Sequence, residues 1–355
     1  MQTSDNKVDW TEVDIHEMAQ WIVGRASARM FVGYPACRDD EWVRATIEYG
    51  KLIFGLTFLA HKVPKFMHSI VLPLTPGYWR VKKIVKYAYT VCRPAIKNYN
   101  EAVAMGTAEA EPFTLLGGML KHAKNTEGEE QEIVSRQLLL SLASIHTTSM
   151  AIVFSLMELC KNPEFIEDLT AEAREMFGED TDWARHSTTR LPKMDSFIME
   201  IFRLHPPSTI LPQRTALEEF TLSNGIRVPV GTHVGFPLGP IALDPSIFPD
   251  PNKFDPLRSY RKRVAEGLIG QSSKYMASSA TEEHLVFGHG SQACPGRFFA
   301  VNEVKLVLLF FLLDFEFKQP ERQLSKRLHF PFEEYYVLNP TLKLMMKKKS
   351  DSVFK

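Results

Sequence analysis

The chain has 355 residues, with 42 Lys and Arg balancing 42 Asp and Glu, and 45% of its residues are hydrophobic. Zero net charge argues against a nucleic-acid partner, and no Pro/Gly/Ser-rich linker divides the chain. Cys37, Cys92, Cys160 and Cys294 lie far apart and form no CxxC pair, which speaks for a reduced compartment and against a zinc site or disulfide framework.

The polar start, Met1–Lys7, is not a signal-peptide apolar region. Ile15, Met18, Ala19, Ile22, Val23, Ala26 and Met30 recur at helical spacing and predict a helix ending near Gly33. Trp42 to Leu59 reads as a second helix, 60–76 as an apolar connection punctuated by proline, and Tyr78 to Val103 as a third helix. A loop is expected from Gly106 to Pro112, then an acidic turn at 125–130 and a long apolar helix from Glu132 to Cys160. Asn162-Pro163 opens the next helix and Gly178 closes it. Asn224-Gly225 inside Thr221–Val228 predicts a hairpin with a type I′ turn. Ser272 to Thr281 is a Ser-rich loop, and 346–355 reads as a charged C-terminal tail that frays from Lys347 onward. The apolar runs 52–74 and 306–313 are too interrupted or too short for an uncharged membrane span. The pattern is mainly α, an α-rich α+β chain in one domain over 1–355. The 24 phenylalanines suit an enclosed apolar ligand, or simply a Phe-rich core.

The most informative stretch is Gly288 to Gly296, Gly-His-Gly-Ser-Gln-Ala-Cys-Pro-Gly, preceded by Phe287 and followed by Arg297-Phe298-Phe299. Gly288 and Gly290 allow a tight turn and close approach of backbone to a flat ligand. Pro295 suits the first position of a helix. Cys294 is then expected at a helix N-terminus, where free backbone donors favour thiolate over thiol. Such a thiolate serves as a nucleophile or as an axial iron ligand.

Phe287-Gly-x-Gly-x-x-x-Cys294-x-Gly296 resembles the haem-ligand loop of cytochrome P-450 monooxygenases, especially fungal secondary-metabolism members of the terpenoid and gibberellin type. That resemblance implies the cytochrome P-450 fold, a b-type haem with Cys294 as axial iron ligand, and Phe287, Gly288, Gly290, Gln292 and Gly296 around the cofactor. The family usually has Arg or His where this chain has Gln292, which donates a hydrogen bond but carries no charge.

Other segments match in order. Ala143-Ser144-Ile145-His146-Thr147-Thr148 is similar to the family's Ala-Gly-x-acid-Thr-Thr helix, with His146 at the acidic position. Ala143 and Thr147 share a helix face. The likeness implies that Ala143 borders the haem, that the Thr147 hydroxyl holds a proton-delivering water, and that His146 relays protons. Glu200-Ile-Phe-Arg203 resembles the Glu-x-x-Arg helix and Phe254-Asp-Pro-Leu-Arg258 the Pro-x-Arg segment. The implied Glu200–Arg203–Arg258 triad is structural and locks the loop that carries Cys294. Arg214 stands where members often hold a haem propionate, and Ile210, Leu211, Phe330 and Phe332 stand where they line the substrate pocket.

The resemblance begins partway through the family fold. The family's membrane anchor, first helices, first sheet strands and Trp-x-x-x-Arg helix would precede this chain, which therefore reads as N-terminally truncated. Implied partners are NADPH-cytochrome P-450 reductase, which Arg297 could help dock, and an apolar small molecule. NADPH is expected only through the reductase, since no nucleotide-binding glycine motif occurs. Family members usually reside at the endoplasmic-reticulum membrane; this sequence leaves the compartment open. A monooxygenase, a haem-deficient remnant and a cysteine hydrolase using Cys294 with His289 are the readings that the residues leave in play.

Overall fold

Long apolar-periodic stretches with few interior glycines or prolines form the helices here, and some of them begin on a capping side chain. The computed structural model describes residues 9–107, 114–179, 190–271 and 273–353. It divides into two compact units, Glu17–Ser149 and Met1–His16 with Met150–Lys355.

In the first unit, α1 (Ile15–Phe31), α2 (Asp40–His61), α3 (His68–Val71), α4 (Pro76–Ala104) and α5 (Leu115–His122) lead into α6 (Glu130–Lys161). The Asp39 carboxylate caps α2 by accepting from the Glu41 N–H at 2.8 Å, and Thr114 caps α5 through the Gly117 N–H at 3.2 Å. Thr75 caps α4, with Pro76 at its first position. Trp42, Val43 and Ile47 of α2 and Ala88 and Cys92 of α4 are buried, as are Ile133, Val134, Leu138 and Ile145 of α6. The expected helices over 15–30, 42–59 and 78–103 are present with slightly longer bounds, whereas α5 carried no signal strong enough to be read. The stretch 60–76 is not plain connection, since it holds α3 and short 3-10 turns. By length and composition α6 is long and apolar enough to cross a membrane, and 56% of its apolar window is buried inside the protein.

The second unit holds β1 (Thr11–Asp14), the end of α6, α7 (Glu164–Glu179) and α8 (Pro192–Leu204), then β2 (Gln213–Thr215), β3 (Phe220–Thr221), β4 (Arg227–Val228) and β5 (His233–Gly235). After these come α9 (Leu238–Ala242), α10 (Arg258–Ala265), α11 (Arg297–Asp314), β6 (Phe315–Lys318), β7 (His329–Phe332), β8 (Tyr335–Leu338) and β9 (Lys343–Lys348). One antiparallel sheet runs β1-β9-β6; the pairs β2-β5, β3-β4 and β7-β8 are separate.

This sheet corrects the charged tail expected over 346–355. Met346–Lys348 belong to β9, between β1 and β6, with Met346 opposite both Thr11 and Phe317. Leu344 is fully buried, while Lys347 on the opposite face pairs with Glu316 at 3.8 Å. Past β9, the Lys349 amide donates to the Asp314 carbonyl and the Val353 amide to the Asp314 carboxylate, which ties the chain to the end of α11.

The β3–β4 hairpin stands where expected, but its turn is not type I′. Gly225 has φ +86 and Asn224 is not among the residues with positive φ. The Gly225 amide donates to the Leu222 carbonyl and the Leu222 amide to the Ile226 carbonyl. This is the three-residue loop in which a type I turn ends on a left-handed glycine.

Three helices meet at a buried ionic cluster. Asp195 of α8 lies 2.5 Å from Lys305 Nζ of α11 and 3.5 Å from Arg263 Nη1 of α10, and its carboxylate also accepts from the Ala277 N–H at 3.0 Å. Asp195 is 1% exposed, and Arg263 and Lys305 are 2% exposed. Taking such charges out of water is costly unless each is paired. Lys305→Ala removes one partner of a buried carboxylate and is expected to cost about 3–5 kcal/mol, read as a lowered urea midpoint with an unchanged m-value. A loss below about 1 kcal/mol, the range of exposed pairs, would show that the cluster does not hold α11.

Candidate functional site

The Cys294 loop is built by its glycines. Gly288 and Gly290 have φ of +74 and +69, conformations that side chains strain to adopt. The fold back brings the Cys294 amide to donate to the Phe287 carbonyl at 2.7 Å, and the Ala293 amide to that of Gly290 at 3.0 Å. A Cβ at Gly290 would meet open space, and one at Gly296 would lie 3.9 Å from Cys294 Sγ. Cys294 is half-buried. Helix α11 starts at Arg297 with Gly296 as its cap, so Pro295 and Cys294 precede the helix instead of opening it. Arg297 turns inward: its Nη1 donates to the Cys294 carbonyl at 2.8 Å, which engages the side chain proposed to dock a partner. Burial pushes the thiols of Cys92 and Cys160 up to about 12, which leaves them inert as nucleophiles.

Helix α8 supplies the second part. The Glu200 carboxylate accepts from Arg203 Nη2 and Nε at 2.6 and 2.8 Å, and Arg258 Nε lies 3.4 Å from it. Their position differs from the expectation in one respect. Arg203 donates to the carbonyls of Ala242 and Pro251, Arg258 to that of Pro249, and Glu200 accepts from the Asp255 N–H. The triad therefore clamps the segment 242–258, not the cysteine loop itself. The link to that loop is apolar: the Phe202 ring meets the Phe287 ring edge-on at 5.3 Å. Sequence reading missed the Asp195–Arg263–Lys305 cluster because Lys305 is hidden in an apolar helix.

In the first unit, Thr147 and Ala143 are exposed on α6 with Leu139 one turn earlier. The Thr147 hydroxyl donates to the Ala143 carbonyl at 2.7 Å, which fixes its rotamer and leaves its lone pairs free to accept. His146 points elsewhere. Its Nδ1 accepts from the Gln20 amide at 3.2 Å, and its ring meets Phe54 edge-on at 6.0 Å. A Cβ at Gly50 of α2 would overlap the His146 ring.

Of the other sequence candidates, Ile210 is exposed, Leu211 half-buried, and Phe330 and Phe332 exposed. The Thr209 amide donates to the Glu334 carbonyl at 2.7 Å and the Tyr336 amide to the Pro207 carbonyl at 3.2 Å, so the 208–211 turn and the β7–β8 hairpin are brought together. Arg214 is exposed and donates to the Gln213 carbonyl; Gln292 is exposed too. Beneath the hairpin, burial and the nearby His205 and Lys161 charges push His329 down to about 4. Burial alone would raise the Glu158 carboxyl, but hydrogen bonds from His205 and Lys161 outweigh it and hold the group low.

A cytochrome P-450 family profile matches residues 2–347. Cytochrome P-450 monooxygenase AN1598 of Emericella nidulans is 35% identical over 97% of this chain and 64% of its own length. Monooxygenase olcJ of Penicillium canescens is 36% identical over the same shares, and an ent-kaurene oxidase of Fusarium fujikuroi 32% identical over 96% of this chain and 63% of its own. Retinoic acid-bound cyanobacterial CYP120A1 shares the fold, with a TM-score of 0.68 at 19% identity, over 95% of this chain and 70% of that one. The chain belongs to the cytochrome P-450 family and spans about two thirds of the length of these fungal relatives. The family's cofactor is a haem with a cysteine thiolate on iron. Within the second unit the residues fit it: a half-buried Cys294 sulfur on a turn of two left-handed glycines, with open space where a Cβ of Gly290 would stand.

The seating of His146 gives a direct check. Gly50→Ala forces the ring out of its notch and is expected to cost about 1–3 kcal/mol. Adding His146→Ala should recover most of that loss, measured as coupling in a double-mutant denaturation cycle. Additive losses would mean that the ring does not occupy the notch.

Proposed function

We propose that this chain carries the catalytic part of a haem-thiolate monooxygenase that inserts one oxygen atom of O₂ into a C–H bond of an apolar, terpenoid-like secondary metabolite. The observation that carries the reading is the Cys294 loop, closed on Phe287 with both glycines in left-handed conformations. The fungal relatives, among them ent-kaurene oxidases, support the substrate class.

Phe287, Gly288, Gly290, Gln292 and Gly296 would hold the haem on the Cys294 side, Ala143 would flank it, and Arg214 would reach a propionate. Bound there, haem supplies the activation of O₂, with the thiolate donating electron density to iron. Two electrons would come from NADPH through NADPH-cytochrome P-450 reductase, since the chain has no dinucleotide motif of its own. The chain's own part is orientation, exclusion of water and protons. Ile210, Leu211, Phe330 and Phe332 present apolar surface that orients a large apolar substrate. The Thr147 hydroxyl, anchored on the Ala143 carbonyl, would accept a hydrogen bond from a water and so hold that water, which carries the proton to be delivered. His146 would act through that helix, as a relay or as the group that seats α6 against Gly50.

The reduced, carbon-monoxide-bound difference spectrum of the purified protein should show thiolate-type absorption, and Cys294→Ala should abolish it. A parent with no haem spectrum would favour the remnant reading, and a Cys294→Ala variant that kept the spectrum would overturn the ligand. Thr147→Ala should still consume NADPH in the presence of reductase, with product falling on the order of 10²-fold and hydrogen peroxide rising in its place. Product yield per NADPH equal to that of the parent would return Thr147 to plain packing.

A further inference from the structure

The chemistry above uses the outer side of the β7–β8 hairpin but not the histidine at its root. Phe330, Phe332, Tyr335 and Val337 are all exposed, so the hairpin rests on the second unit through a narrow inner patch. That patch holds His329 and Tyr336, both half-buried, and the buried Leu338. The His329 ring lies 4.2 Å from the Tyr336 ring. It meets Phe154 of α6 edge-on at 5.7 Å and His205, just past α8, edge-on at 5.4 Å. Nearer the turn, the Tyr336 amide donates to the Pro207 carbonyl, and the Thr209 amide donates to that of Glu334. An element held by so little buried surface is one that opens by itself while the rest stays folded.

The platform under His329 is fixed. The His205 ring stacks on Phe154 at 4.8 Å, and its Nε2 donates to Glu158 at 3.1 Å. Glu158 also accepts from Lys161 Nζ at 2.7 Å and from Asn162 Nδ2 at 3.3 Å, so its carboxylate is already engaged. The Nδ1 atoms of His205 and His329 are buried and have no hydrogen-bond partner. A proton on His329 would therefore put a charge among aromatic rings and give Nδ1 an N–H with no acceptor. The charged and titratable groups that face the ring are Glu158 and Lys161 from α6, His205 after α8 and Tyr336 from β8. Burial, then His205 and Lys161, outweigh Glu158 and favour the neutral ring.

We propose that His329 is a positioning residue that works as a proton-operated latch: its neutral ring seats the β7–β8 hairpin on Phe154 and His205, and its protonated ring lifts the hairpin away. The sign follows from proton uptake. In water the ring takes its proton at the ordinary 6.5, and seated only at about 4. Between those values the lifted form binds more protons, so acid favours it. From about pH 7.5 to about pH 5 the lifted-to-seated ratio rises about thirtyfold. Phe330 and Phe332 move with the strand that carries His329. What this does to a substrate rests on the pocket role proposed for them above. The motion does not, and the test reads the motion.

Hydrogen exchange is measured on the full chain and corrected for the intrinsic pH dependence of amide exchange. Protection of the Tyr336 and Thr209 amides should fall about thirtyfold over that interval, while β9 loses less than about threefold. His329→Phe keeps a neutral aromatic ring in the seat and should hold the loss at Tyr336 and Thr209 below about threefold. In ¹⁵N-histidine NMR, the signal absent from His329→Phe should titrate below the ordinary 6.5. Unchanged protection in the parent, an equal loss in β9, a pH response that persists in His329→Phe, or an ordinary titration of His329 would each overturn the proposal.

Discussion

Burying a carboxylate at Asp195 carries a desolvation cost of several kcal/mol, which only opposing charges and hydrogen bonds offset. Lys305 and Arg263 provide those charges from two other helices, and the Ala277 amide adds a hydrogen bond. Three helices and a loop must therefore arrive together, because any one left out would strand a charge in the core. The helix carrying Lys305 is the one that follows Cys294, so the position of the thiol loop is tied to this electrostatic requirement and not to apolar packing alone.

Helix α8 distributes that constraint. Its first turn holds Asp195, and its last turns hold Arg203, which donates to backbone carbonyls of the 242–258 segment, and Glu200, which accepts from the Asp255 amide there. Phe202, beside Arg203, faces Phe287 at the start of the cysteine loop. Ionic contacts at both ends and an aromatic contact near one end make this helix the frame for the loop. Such a frame suits a site that has to hold a large planar cofactor at fixed geometry, since loops alone position groups less well than packed helices do.

Adjacent residues on α6 serve different ends because successive side chains in a helix point about 100° apart. Thr147 lies on the exposed strip with Ala143, while His146 turns toward Gln20 and the notch at Gly50. A residue type that titrates near neutrality can thus be recruited for packing. The same helix combines a strip of small residues with a buried apolar face, which explains why composition alone would pass it as a membrane span.

Local sequence determined much of this protein. Helix periodicity placed α1, α2, α4 and α6, and Phe287-Gly-x-Gly with Cys294 marked the thiol loop and the family, since glycine geometry and cysteine chemistry are written in adjacent residues. Glu200, Arg203 and Arg258 were readable as a group because their motifs are short. Tertiary structure alone decided the rest. Lys305 looks like a stray charge in an apolar helix until Asp195, far away in sequence, pairs with it and with Arg263. Lys347 and Lys348 look like a solvated tail until β6 pairs with their backbone, opposite Glu316 and Phe315. His146 reads as a proton relay in sequence, and only the fold shows that its ring sits in space left by a glycine on another helix. In each case the deciding partner is distant along the chain, and a buried charge, a strand edge or a notch has no local pattern that announces what will fill it.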